Sequence, residues 1–186
     1  HYMNDPEYTN IVLTGDVHTA NQERAGLKTR DQAKTFIYAF LYGAGAAKIG
    51  KVVGGTAKHG QQLITRFLNN MPALKHLRML VSKEAAGDTI KALDGRLLHI
   101  RSEHAALNTL LQGAGAIVCK QWLVHIMERV IKAKLDARLV ASIHDEYQFE
   151  VAIPDIERFC RLTKEAMTQT TKTLKMKCEL DCDYKV

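Results

Sequence analysis

Residues Arg30 to Gly43, RDQAKTFIYAFLYG, govern how the rest of the chain is read. As a helix, this stretch places Arg30, Lys34, Tyr38 and Tyr42 on one stripe, because side chains four apart stack on the same face. Ala33, Phe36, Ile37 and Phe40 fall on roughly the opposite side, at the spacing of a core-facing apolar stripe. The front therefore carries two cations and two phenols and no carboxylate, whereas a solvated face normally mixes charge signs. Cations suit phosphates, and flat rings suit bases and sugars. From this helix alone, a phosphate-and-base surface and a plain surface helix with half-buried tyrosines are equally open.

The whole chain limits the alternatives. Its 186 residues fall within the range of one domain with a sizeable core. Hydrophobic residues at 46% and charged residues at 25% are ordinary globular values and exclude a disordered chain as the default. A formal charge of +6 favours a polyanionic partner, with nucleic acid the first candidate. Cys119, Cys160, Cys178 and Cys182 form no CxxC pair and have no nearby histidine at a zinc spacing, so they read as reduced thiols. No apolar run approaches the ~20 residues that span a bilayer, and no basic-then-apolar leader is present. The expectation is a soluble, cytoplasmic protein. The chain begins His1-Tyr2-Met3, which suggests a fragment or a processed piece.

In chain order, Pro6 to Leu13 predicts a short helix stopped at Gly15, and Gly15-Asp16-Val17-His18-Thr19 predicts a turn with a cap at Thr19. His18 would sit in that turn, where a lone histidine is usually solvated. A helix ending at Gly26 follows, and then the Thr29–Tyr42 helix with Thr29 as its N-cap. Helices are expected over Lys58–Asn70 and Pro72–Ala86, and a hairpin about Asp94-Gly95. Arg96, His99 and Arg101 lie on or beside that hairpin, as either a phosphate-facing edge or a charged edge that resists aggregation. One long helix is predicted from Ser102 to Leu135, with Asn108 and Gln112 sharing a face; such amides are either solvated or able to reach base edges. LVASIHDEYQFEV, residues 139–151, reads as two strands with His144-Asp145-Glu146 at the turn. Adjacent carboxylates at a tight turn repel, and a divalent cation relieves that, although an ordinary acidic turn is the commoner explanation. A final helix starts at Pro154-Asp155. Helices interspersed with small hairpins make the class α+β.

Taken together, four ordered segments resemble the C-terminal part of a family A DNA polymerase of the DNA polymerase I type, with a texture like that of bacteriophage replicative enzymes. They are Gly15–Thr19, Arg30-x3-Lys34-x7-Tyr42-Gly43, Ala106–Ala114 and Ile143-His144-Asp145-Glu146, and the similarity runs over nearly the whole chain. The resemblance implies a palm-to-fingers segment at 1–28, fingers at 29–100 and the C-terminal palm part at 101–186. The thumb, the exonuclease region and the first palm motif would be absent. It implies that His18, Arg30 and Lys34 bind the triphosphate of the incoming nucleotide, with Lys34 also assisting proton transfer to the leaving pyrophosphate. Tyr38 would face sugar and base, and Tyr42 would guard the template-side position. Asp145 would be a ligand of catalytic magnesium, with Glu146 beside it and His144 near the primer end. Arg101 and His104 would lie near the DNA backbone, and Asn108 and Gln112 near the nascent pair.

In-line displacement at phosphorus uses positioning and charge neutralisation, commonly by two metals ~4 Å apart. The resemblance supplies one of the two aspartate motifs this needs, so the expected protein is a DNA-templated DNA polymerase present as a C-terminal fragment or split subunit, inert alone. Its partners would be primer-template DNA, deoxynucleoside triphosphates and the N-terminal remainder. The alternatives are a single-subunit RNA polymerase, whose palm motif usually ends in His-Asp-Ser where this chain has Glu146, and a nucleic-acid-binding remnant without chemistry.

Overall fold

Phe36 and Phe67 are completely buried, and the first of the chain's two hydrophobic cores is assembled around them. A computed structural model describes residues 1–186 as eight α-helices and two antiparallel hairpins, divided into two compact units, His1–Leu111 and Gln112–Val186. The class is α+β, as expected.

The first unit runs α1 (Pro6–Thr14), α2 (Val17–Ala25), α3 (Arg30–Leu41), α4 (Ala46–Val52), α5 (Ala57–Asn69) and α6 (Pro72–Ala85). The hairpin β1 (Thr89–Lys91) and β2 (Leu97–His99) follows, in register Thr89↔His99 to Lys91↔Leu97. Helix α3 begins where a side chain satisfies its first free donors: the Thr29 hydroxyl accepts from the Gln32 backbone N–H at 3.2 Å. Ala33, Phe36, Ile37 and Phe40 are its buried residues, as the periodicity predicts. The rings of Phe36 and Phe40 meet Phe67 of α5 edge-on, with centroids 5.0 and 5.6 Å away. Such pairs add about 0.5–1.5 kcal/mol to the area they bury.

Three local readings are corrected in this unit. The cap of α2 is Asp16, not Thr19, so His18 lies in the first helical turn rather than in a loop. Periodicity predicts no element between Gly45 and Thr56, yet α4 forms there. It is short and small-residued, and tertiary contact holds it: a Cβ on Gly60 of α5 would run into the carbonyl oxygen of Ala46. The expected opening of the long helix at Ser102 is a 3-10 turn over Glu103–Ala105, in which Ser102 makes no side-chain cap.

Helix α7 (Ala106–Ala133) starts in the first unit and continues into the second. The second unit then forms β3 (Ala137–Ile143), β4 (Glu146–Val151) and α8 (Ile156–Thr173). Its core holds Trp122, Ile126 and Val130 of α7 with Phe159, Ala166 and Met167 of α8. The Trp122 indole N–H donates to the Thr163 carbonyl at 3.0 Å, which answers the demand of a buried polar atom. Register changes between Leu139 and Ala141, leaving Val140 as an extra residue in β3. This bulge shifts the pleat so that Ser142 pairs with Tyr147 on the inner face and Ile143 with Glu146 on the outer. No helix is long and apolar enough to cross a membrane, and all four cysteines are free thiols.

Candidate functional site

The predicted site residues fall in both units. In the first, α2 and α3 are joined at Asp16. Its Oδ1 accepts from the backbone N–H groups of His18 and Thr19 at 3.0 and 3.4 Å, and its Oδ2 from the Thr19 hydroxyl at 2.9 Å. The same carboxylate receives Arg30 as a fork, Nε to Oδ2 at 2.6 Å and Nη2 to Oδ1 at 3.2 Å. The Arg30 guanidinium, then the Thr19 hydroxyl and the backbone donors, hold the Asp16 carboxyl well below the usual carboxylate range. Asp16 in turn pushes the Arg30 guanidinium up.

His18, on the first turn of α2, lies with its ring 6.2 Å from the ring of Tyr38. Its Nδ1 is buried and has no hydrogen-bond partner in the chain, an arrangement that native proteins mostly avoid. Arg30 and Lys34 are exposed. Tyr38 and Tyr42 are exposed by 49% and 59%, high values for tyrosine. The structure thus brings His18, Arg30, Lys34 and Tyr38 to one side of the α2–α3 pair, with Tyr42 ending the stripe as the C-cap of α3. Gly43 follows with φ +79°, and a Cβ there would meet the His104 carbonyl oxygen, so both the left-handed backbone and the close approach require glycine. Exposed Arg101 and His104 stand on that segment, and Asn108 and Gln112 are one turn apart on α7.

In the second unit, His144 and Asp145 alone form the loop between β3 and β4, because Glu146 is already a strand residue paired with Ile143. The expected three-residue turn is corrected to this tighter one. His144 adopts φ +55°, a left-handed conformation that costs a side-chain-bearing residue of order 1 kcal/mol and that clusters at functional sites. Asp145 and Glu146 are both exposed. Glu146 Oε1 accepts from Gln148 Nε2 at 3.0 Å, so its carboxylate lies along the outer face of β4. Burial, then the Asp145 charge, pushes the Cys119 thiol of α7 up. No three side chains among His, Cys, Asp and Glu are grouped to hold a metal ion.

Two residues near the site escape sequence reasoning. Asp16 had a signal, since aspartate is among the preferred N-cap residues and stands directly before the first residue of α2. Cys119 had none, because only the hairpin's tertiary placement sets it against Asp145.

This fold is that of a polymerase domain. The POL domain of Pol1 from M. smegmatis, in a structure described as a complex with DNA primer-template and dNTP, matches with a TM-score of 0.81 at 20% identity, over 91% of this chain and 34% of that one. The family model of DNA polymerase family A matches residues 12–186, and the chain belongs to that family. The DNA-directed DNA polymerases of Enterobacteria phage T3 and Escherichia phage T7 are each 41% identical to it over 100% of its length. The chain spans 30% of the length of these relatives.

Proposed function

We propose that the chain supplies the fingers and part of the palm of a DNA-templated DNA polymerase, with residues 1–28 leading from palm to fingers, 29–100 forming the fingers and 101–186 the C-terminal palm. The observation that carries the proposal is the α3 front: cations and phenols at 30, 34, 38 and 42 exposed over a fully apolar back. In this reading Arg30, Lys34 and His18 bind the triphosphate of the incoming nucleotide. The unpartnered His18 Nδ1 supports a ligand contact there. Lys34 also assists the proton reaching the leaving pyrophosphate, Tyr38 lies against sugar and base, and Tyr42 bounds the template position. Arg101 and His104 contact the DNA backbone, Asn108 and Gln112 reach base edges, and His144 stands near the primer end.

Asp145 fits magnesium by donor chemistry, being an exposed hard-oxygen ligand with a second carboxylate, Glu146, next to it. Magnesium supplies neutralisation of the charge on the transferring phosphate when bound. A one-motif site is incomplete, so the second aspartate comes from a segment other than residues 1–186, and the chain alone does not extend a primer.

Primer extension with magnesium and the four deoxynucleoside triphosphates tests this. We expect no product from the chain alone and extension once the remainder of the polymerase is present. In that assembled enzyme, Lys34→Ala and Asp145→Asn each reduce extension by at least about 100-fold, the scale of losing a transition-state charge partner. Undiminished extension by both variants overturns the assignment.

A further inference from the structure

We infer that Asp16 is a positioning residue for the incoming nucleotide, fixing Arg30 and His18 in one phosphate-binding arrangement through a single carboxylate that both caps α2 and clasps the Arg30 guanidinium. The inference rests on the triphosphate role proposed for Arg30 and His18. Its own support is geometric. Five hydrogen bonds converge on two oxygens: three come from the first turn of α2 and two from Arg30, the first residue of α3. His18 is donor to one of these through its backbone, so the residue that orients Arg30 also sets the turn from which the His18 ring projects.

The fork is arranged so that it does not consume the guanidinium. Arg30 has five N–H donors in a rigid plane, and Asp16 engages one on Nε and one on Nη2. Both Nη1 donors and the second Nη2 donor remain for a phosphate oxygen. A surface arginine without such a brace samples many rotamers and gives up that freedom when it binds. With the brace, part of the ordering is done before the ligand arrives. Asp16 does not touch the nucleotide, so its effect falls on nucleotide binding rather than on the chemical step.

The cap and the clasp can be separated. Asparagine and serine are good N-caps, so Asp16→Asn and Asp16→Ser keep the α2 start and remove the charged fork. In the complete polymerase carrying this chain, we expect each to raise the KM for dATP about tenfold, with kcat changed less than about threefold, since a charge-assisted fork is worth around one decade in affinity. Asp16→Glu, which retains a carboxylate, recovers part of the loss. Arg30→Ala serves as the reference and raises the same KM by at least as much. The inference is overturned if Asp16→Asn and Asp16→Ser leave KM unchanged while Arg30→Ala raises it, for then the carboxylate is a structural cap alone. It is equally overturned if KM falls, which would make Asp16 a competitor of phosphate for Arg30. If Arg30→Ala itself leaves KM unchanged, the triphosphate assignment fails, and this inference fails with it.

Discussion

Asp16 illustrates how much one exposed side chain can decide when its partners are ordered by two helices at once. Its carboxyl is held below the ordinary value of 3.8, first by Arg30, so the folded state releases this proton more readily than the unfolded chain does. A depressed folded value stabilises the fold above the unfolded value, and that contribution disappears as pH falls from about 4 towards the folded value. Asp94, lowered by the Arg96 guanidinium beside it, acts with the same sign. We therefore expect the melting temperature of the wild-type chain to exceed that of Asp16→Asn at pH 7. The gap should narrow progressively below pH 4, because the unfolded wild type then gains the proton that asparagine never takes up. Thermal unfolding followed by circular dichroism at pH 7, 4 and 3 measures it; a gap that stays constant across the series excludes the linkage. Asp145 stands exposed at the tip of a two-residue loop whose first member, His144, is in the left-handed region. The two aspartates are thus built differently, one engaged by the protein and one left accessible.

At the scale of elements, glycines separate close packing from mere helix weakness. Gly60 of α5 lies where a Cβ would collide with the Ala46 carbonyl and crowd the Gly50 backbone nitrogen, groups that α4 cannot move without unwinding. Gly60→Ala should destabilise the chain by about 2 kcal/mol or more through overpacking, outweighing the helix propensity gained. Gly115, inside α7, has nothing within 4 Å of an added Cβ, so Gly115→Ala should stabilise by about 0.5–1 kcal/mol. Urea unfolding of the two variants checks both signs. The pair also shows what sequence makes legible. The apolar back of α3, the Thr29 cap, the Gly26 stop and the Asp94-Gly95 turn are local signals and could be read directly, because each is fixed by neighbours within one or two turns. The same holds for the His144–Asp145 turn, though not for its exact length. Helix α4 could not be read, since its seven residues have no apolar period and depend on α5. The Val140 bulge was likewise hidden, because strand register is set by the facing strand. Of the site, the α3 stripe was visible as spacing. Its connection to His18 through Asp16 depends on two helices meeting fourteen residues apart, which no periodicity records.

At the scale of the whole chain, the surplus of 26 lysines and arginines over 20 carboxylates is a statement about partners, not about the fold. If the chain contributes to gripping a primer-template, part of that grip is release of counterions from DNA, and affinity falls linearly on a log–log plot against salt. Some of the surface cations stand in mixed pairs, such as Arg96–Asp94 and Lys164–Asp181. Arg101 is different: it is exposed, on the segment that Gly43 packs against, and is assigned to the DNA backbone. Arg30, by contrast, is clasped by Asp16 through two of its five donors and is proposed to meet the nucleotide. The two arginines should therefore separate in one experiment. In the polymerase carrying this chain, Arg101→Ala should weaken primer-template binding in the absence of nucleotide and reduce the magnitude of the salt slope by about 0.9, the value for one phosphate contact. Arg30→Ala should leave that slope unchanged. Fluorescence anisotropy of a labelled primer-template between about 50 and 200 mM potassium chloride, a range over which such binding changes by orders of magnitude, reads both quantities. Equal slopes for wild type and Arg101→Ala would remove Arg101 from the DNA contact, and a reduced slope for Arg30→Ala would move that residue from the nucleotide to the duplex.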